Sequence, residues 1–389
     1  MRVVYVSYDG ALDPLGGSQV IPYLLGLSRR GVRFSLVSFE KPERWSDTRS
    51  RIGLQRRLDD AGVRWVALPY HRRPRLLAKG LDVSAGAKAI RREVRQTGAA
   101  IVHCRGDMTM AMARFSRGPS VRLLYDIRGF FSDERVEGGS WPRGGIVDRA
   151  VGRLEAGNWS RAAGFVVLTE AARRRLAERH PSLPPHRVIP TCVDLERFRP
   201  SMDRTPEFSV VYGGSMGSAY PSDAIVAFAR AAARNLSAPA LFLTPHQDEA
   251  RRAGATPEWS EVFTVPSAEM PRWLQRCRAA FCLYRPGSYL AATSPTKIGE
   301  ALAMGLPVAV NRGIGDLDSI IEGSAVGVLI ESFTEDAYQA ASARLRELVE
   351  DGGTAARCRR VAEERFGLAE GIEKYCTLYH ELLQSPAAG

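Results

Sequence analysis

The residues with the most chemistry to offer lie in one stretch, Thr293-Ser-Pro-Thr-Lys-Ile-Gly-Glu-Ala-Leu-Ala-Met-Gly-Leu-Pro-Val-Ala-Val310. It reads as a helix start, a short helix, a sharp stop and a buried strand. Ser294 is expected to cap the helix, and Pro295 to open it where a missing N–H costs nothing. Ile298 and Leu302 fall four apart, on one apolar face. Gly305 should end the helix in the left-handed region, and Pro307 blocks its continuation. Lys297 then falls in the first turn, where a cation opposes the helix dipole by about 0.3–1 kcal/mol. An anion in front of the helix removes the conflict, because free N–H groups, the dipole and an ammonium would converge on a phosphate. Glu300, three residues on, shares that face and can accept hydrogen bonds from a sugar hydroxyl. The alternative is a solvated Lys–Glu pair on the surface. Lysine stands only at positions 41, 79, 88, 297 and 374, among many arginines, so a lysine here is a specific choice.

Three other groups of residues could touch a ligand. Gly16 and Gly17 precede a helix read from Ser18 to about Arg30, and paired glycines let backbone approach a ligand closely. They do not form G-x-G-x-x-G, and no acidic residue follows where a ribose would need one, which disfavours a dinucleotide. Gly213, Gly214 and Ser215 repeat that arrangement after a second strand, Phe208–Tyr212. His103, Arg105, Asp126, Arg128 and Glu134 follow two successive strands, Ile101–Cys104 and Val121–Tyr125. In a parallel sheet such ends face the ligand crevice. Asp126 is expected to orient a substrate hydroxyl, with Arg128 either fixing that carboxylate or binding an anion. The alternative is an Asp126–Arg128 pair that shapes the loop.

The elements that position these residues repeat one plan. Strands read at Val3–Ser7, Val32–Phe39, Val63–Leu68, Ile101–Cys104, Val121–Tyr125 and Gly164–Thr169 alternate with helices, as in an α/β doubly wound parallel sheet. Residues 40–60 read as a polar, Arg-rich region. The proline-rich stretch 181–206 marks a boundary. The plan then restarts at Phe208, with strands near 240–244 and 261–265, a helix at 268–277 and helical residues at 334–350 and 354–385. With 389 residues, two domains are expected.

Composition narrows the function classes. The 45% hydrophobic and 25% charged content is that of a globular protein. No apolar run reaches the roughly 18 residues of a membrane span, and the N-terminus reads as a strand rather than a signal peptide. Six scattered cysteines and six scattered histidines offer no metal-ligand spacing, so no metal is expected, and the thiols suit a reducing cytoplasm. The formal charge of +11 calls for an anionic partner. No nucleic-acid signature accompanies it, whereas the basic run 71–79, His-Arg-Arg-Pro-Arg-Leu-Leu-Ala-Lys, interleaves cations with leucines and suits an anionic membrane surface as well as a solvated loop.

Several segments together resemble the family 4 glycosyltransferases of the GT-B fold. They are Asp13-Pro-Leu-Gly-Gly-Ser-Gln-Val20, Tyr125-Asp-Ile-Arg-Gly-Phe130, Ile189-Pro-Thr-Cys-Val-Asp-Leu-Glu-Arg-Phe-Arg-Pro200, Tyr212-Gly-Gly-Ser-Met-Gly217, Ser294-Pro-Thr-Lys-Ile-Gly-Glu300 and Gly305-Leu-Pro307. The Ser-Pro-Thr-Lys motif is similar to that of bacterial members building cell-surface polysaccharide. The resemblance implies two Rossmann-like domains facing across a cleft, an acceptor side at 1–190, a linker at 191–206, a donor side at 207–365 and a final helix, 366–384, crossing back. It implies a cytoplasmic, metal-independent, retaining hexosyltransferase with no cofactor. Such an enzyme takes a UDP- or GDP-sugar as donor and a glycan, lipid-linked or small-molecule acceptor. Lys297 and the helix amides would meet the diphosphate, with Ser294, Pro295 and Thr296 around it, Arg285 as a second cation and Glu300 at the ribose. Gly16, Gly17, Gly214 and Ser215 would approach the donor, while His103, Arg105 and Glu134 lie on the acceptor side and Asp126 and Arg128 join the catalytic set. Two positions depart from the family: Ala292 stands where many members have a Glu, and 213–223 lacks the usual Arg and Lys. The resemblance leaves open a catalytically silent nucleotide-sugar binder and an epimerase of the same fold.

Overall fold

Short runs of β-branched and aromatic residues alternate with helices along the whole chain and pair into two parallel sheets. The computed structural model describes residues 1–73, 75–116, 121–180, 182–201, 204–217 and 219–384. The chain forms two units, one of Met1–Ile189 with Leu368–Gly389 and one of Pro190–Gly367.

In the first unit the strands are β1 (Arg2–Ser7), β2 (Arg33–Glu40), β3 (Arg64–Pro69), β4 (Ile101–Arg105), β5 (Arg122–Asp126), β6 (Gly164–Val167) and β7 (His186–Val188). Between them run α1 (Pro14–Gln19), α2 (Ile21–Arg29), α3 (Pro42–Trp45), α4 (Thr48–Asp60), α5 (Arg75–Thr97), α6 (Asp107–Phe115), α7 (Phe131–Glu137), α8 (Ile146–Ser160) and α9 (Glu170–Arg179). The sheet order is β3-β2-β1-β4-β5-β6-β7, so the strand order reverses between β1 and β4. Ligand crevices open at such a reversal, at the carboxyl ends of the strands. Register places Ser7 beside Arg105 and Arg105 beside Asp126 at those ends.

The second unit repeats the plan with β8 (Phe208–Gly213), β9 (Ala240–Leu243), β10 (Ser260–Phe263), β11 (Cys277–Cys282), β12 (Val308–Asn311) and β13 (Gly327–Ile330). Its helices are α10 (Ser222–Asn235), α11 (Gln247–Arg252), α12 (Met270–Leu274), α13 (Thr296–Ala303), α14 (Leu317–Ser324), α15 (Glu335–Glu350) and α16 (Thr354–Phe366). The order β10-β9-β8-β11-β12-β13 puts the reversal between β8 and β11. The last helix, α17 (Leu368–Gln384), belongs to the first unit. The architecture is therefore α/β, with two Rossmann-like domains.

Several local expectations are corrected. The region 40–60 contains α3 and α4, the latter capped by Asp47, which accepts from the Ser50 N–H at 3.1 Å. The expected helix at 268–277 ends at Leu274, because Cys277 already starts β11. The expected helical stretch 354–385 is two helices, broken at Gly367, whose φ of −65° and ψ of 127° are extended. The described residues of 191–206, expected as a linker, pack into the second unit. Val193 and Phe198 are buried in its core, and the Arg359 guanidinium donates to the carbonyls of Leu195, Phe198 and Ala303. In the basic run 71–79, Pro74 lies outside the described residues. Lys79 is not a free surface cation, since its Nζ donates to the hydroxyls of Tyr8 and Tyr70 at 2.7 and 3.1 Å.

The helix expected from Ser18 starts earlier, at Pro14, and Ser18 does not cap it but donates to the Pro14 carbonyl at 2.9 Å. This makes the two glycines unequal. A Cβ on Gly16 would lie 2.1 Å from the Gly10 carbonyl oxygen and 2.9 Å from the Ala11 Cα, whereas one on Gly17 would meet nothing within 4 Å. Gly16 is thus required by the fold of its own loop, and Gly17 keeps open space beside it. Gly16→Ala should cost about 1–3 kcal/mol, as overpacking against backbone does, and lower the melting temperature by several degrees. Gly17→Ala should melt with the wild type in the same thermal scan.

Candidate functional site

In the second unit, α13 carries its first turn to the carboxyl end of β11, beside the end of β8. Pro295 occupies the cap position with no side-chain cap bond. Ser294, expected there, is taken by Thr191: the Thr191 N–H donates to its Oγ at 3.2 Å, and the Thr191 hydroxyl donates to its carbonyl at 2.7 Å. The backbone N–H groups of Thr296 and Lys297 therefore have no acceptor among the described residues. Gly305 ends the helix at φ +73°, as its spacing predicts. Behind the helix, Gly299 admits close packing, since a Cβ there would lie 2.9 Å from Val193 Cγ2.

Lys297 folds back over the end of β8. Its Nζ sits 4.8 Å from the Tyr212 ring centre and 4.6 Å from that of Tyr220. A Cβ on Gly214 would come within 3.0 Å of Nζ, so the glycine, at φ +121°, leaves room for the ammonium. Nζ is buried and has no hydrogen-bond partner among the described residues. Two aromatic faces stabilise a cation there by about 0.5–2 kcal/mol each, but they satisfy none of its three N–H donors. An ammonium in this state, beside two free backbone N–H groups, is an anion site.

Glu300 lies one turn further on. Burial pushes its carboxyl from an ordinary 4.5 up to about 7, against the opposing pull of Arg197 and then Lys297. No described residue donates a hydrogen bond to it. Ser215 is exposed, and its carbonyl accepts from the Tyr212 hydroxyl. The Arg285 side chain is exposed, and its backbone N–H donates to the Ala219 carbonyl at 2.9 Å. Ala292 is buried.

In the first unit, His103, Arg105, Asp126 and Arg128 are brought together on the sheet face covered by α2 and α17. Asp126 is 0% exposed. Its Oδ2 accepts from Arg128, from His103 Nε2 at 3.1 Å and from the Tyr375 hydroxyl at 3.0 Å. Burial alone would raise its pKa, yet the Arg128 guanidinium and the His103 hydrogen bond hold it well below the usual carboxylate range. Burial lowers the pKa of His103. The neutral ring donates from Nε2 to Asp126 and accepts at Nδ1 from the Tyr379 hydroxyl, 2.6 Å away. Asp126 thus has no surface to offer a substrate hydroxyl and acts through Arg128 and His103. Glu134 is exposed on α7 and touches none of this cluster.

Three supports had no role assigned to them from the sequence. Glu40, buried at the end of β2, accepts from the N–H groups of Ala11 and Leu12 at 2.8 and 3.2 Å and so holds the loop before Gly16. Tyr212 and Tyr220 frame Lys297, and Thr191 displaces Ser294 from the cap.

These two sheets, each with its reversal point, make the fold that of GT-B glycosyltransferases. Residues 22–192 match the family model described as Glycosyl transferase 4-like domain. The chain is similar in structure to a glycosyltransferase from Rickettsia africae (13% identity, 99% of each chain covered, TM-score 0.67). It is likewise similar to Anabaena HepE in complex with UDP and glucose (13% identity, 98% of this chain and 99% of that one, TM-score 0.66). A third neighbour is the sucrose-phosphate synthase of Thermosynechococcus elongatus (13% identity, 98% and 99% covered, TM-score 0.70). No curated protein matches the chain.

Two predictions follow from the second unit. Lys297→Ala should weaken binding of UDP or GDP, whichever binds, by about 1.5–3 kcal/mol in calorimetry, the worth of a hydrogen bond to a charged group, without lowering the melting temperature. Glu300 gives a pH signature. Its native value of about 7 lies above the ordinary 4.5, so between those values the native chain holds a proton that the unfolded chain has lost. Stability then falls as pH rises through that window and stays reduced above it. Glu300→Gln should accordingly raise the melting temperature at pH 8 and leave it unchanged at pH 4. Its nucleotide affinity should be lower than that of the wild type at pH 8, where the ionised carboxylate accepts from the ribose.

Proposed function

We propose that this protein transfers a sugar, with retention of configuration, from a nucleoside diphosphate donor to a glycan or lipid-linked acceptor. The observation that carries the proposal is the Lys297 ammonium, buried without a hydrogen-bond acceptor beside the open N-terminus of α13. A diphosphate supplies the missing acceptors. It is also the leaving group of such a transfer, and fixed N–H donors and a cation stabilise the charge it gains as the glycosidic bond breaks. Glu300, with no hydrogen bond of its own, suits two ribose hydroxyls. The match of residues 22–192 to a glycosyltransferase family, and the UDP and glucose carried by Anabaena HepE, support the same reading.

In this reading Ser294, Pro295 and Thr296 shape the turn that presents the amides, and Gly214 and Ser215 line the diphosphate. Arg285 helps receive the donor. Asp126 and Arg128 set the acceptor side with His103 and Arg105, while Glu134 contacts the acceptor only at its periphery. The donor is a UDP- or GDP-hexose, no metal or cofactor takes part, and the product belongs to bacterial surface polysaccharide made on the cytoplasmic side. Leu77 and Leu81 lie four apart on α5 with 68% and 58% of their surface exposed, near the exposed Arg72 and Arg73. They are suited to peripheral contact with an anionic membrane.

Incubation with a panel of radiolabelled UDP- and GDP-sugars in excess EDTA tests this. Slow release of the nucleoside diphosphate from one donor, undiminished by the chelator, is expected. Tight nucleotide binding with no release from any donor would leave a silent binder, and strict dependence on a divalent cation would overturn the metal-free clamp.

A further inference from the structure

The first unit holds a second cation without an acceptor. Arg105 ends β4 at the reversal point of the sheet, and its side chain is 5% exposed. Its guanidinium donates no hydrogen bond to any described residue, and Nε and Nη1 are sealed from water. The nearest carboxylate, Asp9 Oδ2, stands 3.8 Å from Nε on a side chain that is 48% exposed, too far for a hydrogen bond. The neighbouring Asp126 carboxylate attracts Arg105 but accepts no hydrogen bond from it, although its Oδ1 is buried without a partner. Asp126 is already held by Arg128, His103 and Tyr375. Arg128 adds two more buried donors without acceptors, Nε and Nη1.

Charge accounting across this cluster gives an excess. Arg105 and Arg128 are cations, Asp126 is an anion, and His103, its pKa lowered by burial, is neutral. Among these buried groups one positive charge is left at the carboxyl end of the sheet, offset only in part by the half-exposed, solvated Asp9 carboxylate 3.8 Å from Arg105 Nε. A buried guanidinium needs acceptors for its fork of N–H donors to offset its desolvation, and an anion offsets its charge as well. A neutral sugar hydroxyl would leave that charge uncompensated, whereas a carboxylate or phosphate matches both the fork and the charge.

We propose that Arg105, with Arg128 behind it, is the subsite for an acidic group, carboxylate or phosphate, on the acceptor. This rests on the transfer reading, in which the diphosphate of the donor is already taken by Lys297 and α13 in the other unit. The acceptor is then an acidic sugar or a phosphorylated carrier rather than a neutral glycan.

The test is calorimetric titration of the full chain in a Lys297→Ala background, where the second unit's anion site is disabled. The probes are glucuronate and glucose 1-phosphate as the two acids and methyl glucoside as the neutral control. Arg105→Gln and Arg105→Lys are compared with the Arg105 parent. The acids should bind at least ten times tighter than methyl glucoside, Arg105→Gln should lose that preference, and Arg105→Lys should keep part of it. Whichever acid binds tighter tells a carboxylate-bearing sugar from a phosphate-bearing carrier. Equal binding of acids and methyl glucoside, or acid binding unchanged in Arg105→Gln, would overturn the proposal. So would a fall in melting temperature in Arg105→Gln that Arg105→Lys reverses with no change in acid binding, since Arg105 would then be a scaffold residue. Nucleoside diphosphate titrated into a chain with Lys297 intact separates the two readings. Its failure to bind removes the donor assignment and leaves the acid result standing, while loss of diphosphate affinity in Arg105→Gln would move Arg105 to the donor.

Discussion

The structure of the second unit turns on one electrostatic conflict: a lysine ammonium placed at the positive end of a helix. Both Lys297 Nζ and the first-turn N–H groups of α13 are donors, and they have no acceptor among the described residues. Elements around them are arranged to keep this state. Thr191 takes Ser294 out of the cap, Gly214 leaves space for Nζ, and the Tyr212 and Tyr220 rings offer it their faces without hydrogen-bonding to it. Each choice is unfavourable for an empty helix end and favourable for one that meets a phosphate.

The first unit handles buried charge differently. Asp126 is compensated three times over, by residues from β4, the loop after β5 and α17, and this ties the last helix to the centre of the sheet. Tyr379 extends the same network through His103. Removing one partner from such a network leaves the others buried and unpaired, which costs more than the bond itself. Arg105 stands beside it with no such provision. One cluster therefore contains a scaffold, in Asp126 and its donors, and an open valence, in Arg105.

What was legible in the sequence is what short spacing decides. Lys297, Glu300 and Gly305 fall where a helix of eight residues puts them, because all the relevant geometry is local. The doubly wound class follows from apolar runs alternating with helices. Partners far apart in the chain were not legible. Ser294 is an ordinary cap by sequence, and only Thr191, 103 residues earlier, shows why it is not one. His103 and Tyr379 meet across 276 residues, and the loop holding Gly16 depends on Glu40 at the end of another strand. Nor does sequence distinguish Asp126, buried with three donors on its Oδ2, from a carboxylate exposed to substrate.

The central claim, that α13 and Lys297 bind a diphosphate, is tested most directly by hydrogen exchange. Exchange of backbone amides is followed by mass spectrometry with and without saturating UDP or GDP. The account predicts slowed exchange in peptides covering 293–303, where the amides of Thr296 and Lys297 gain an acceptor, and in those covering 212–217. Ligand binding with protection elsewhere, and none at 293–303, would contradict it.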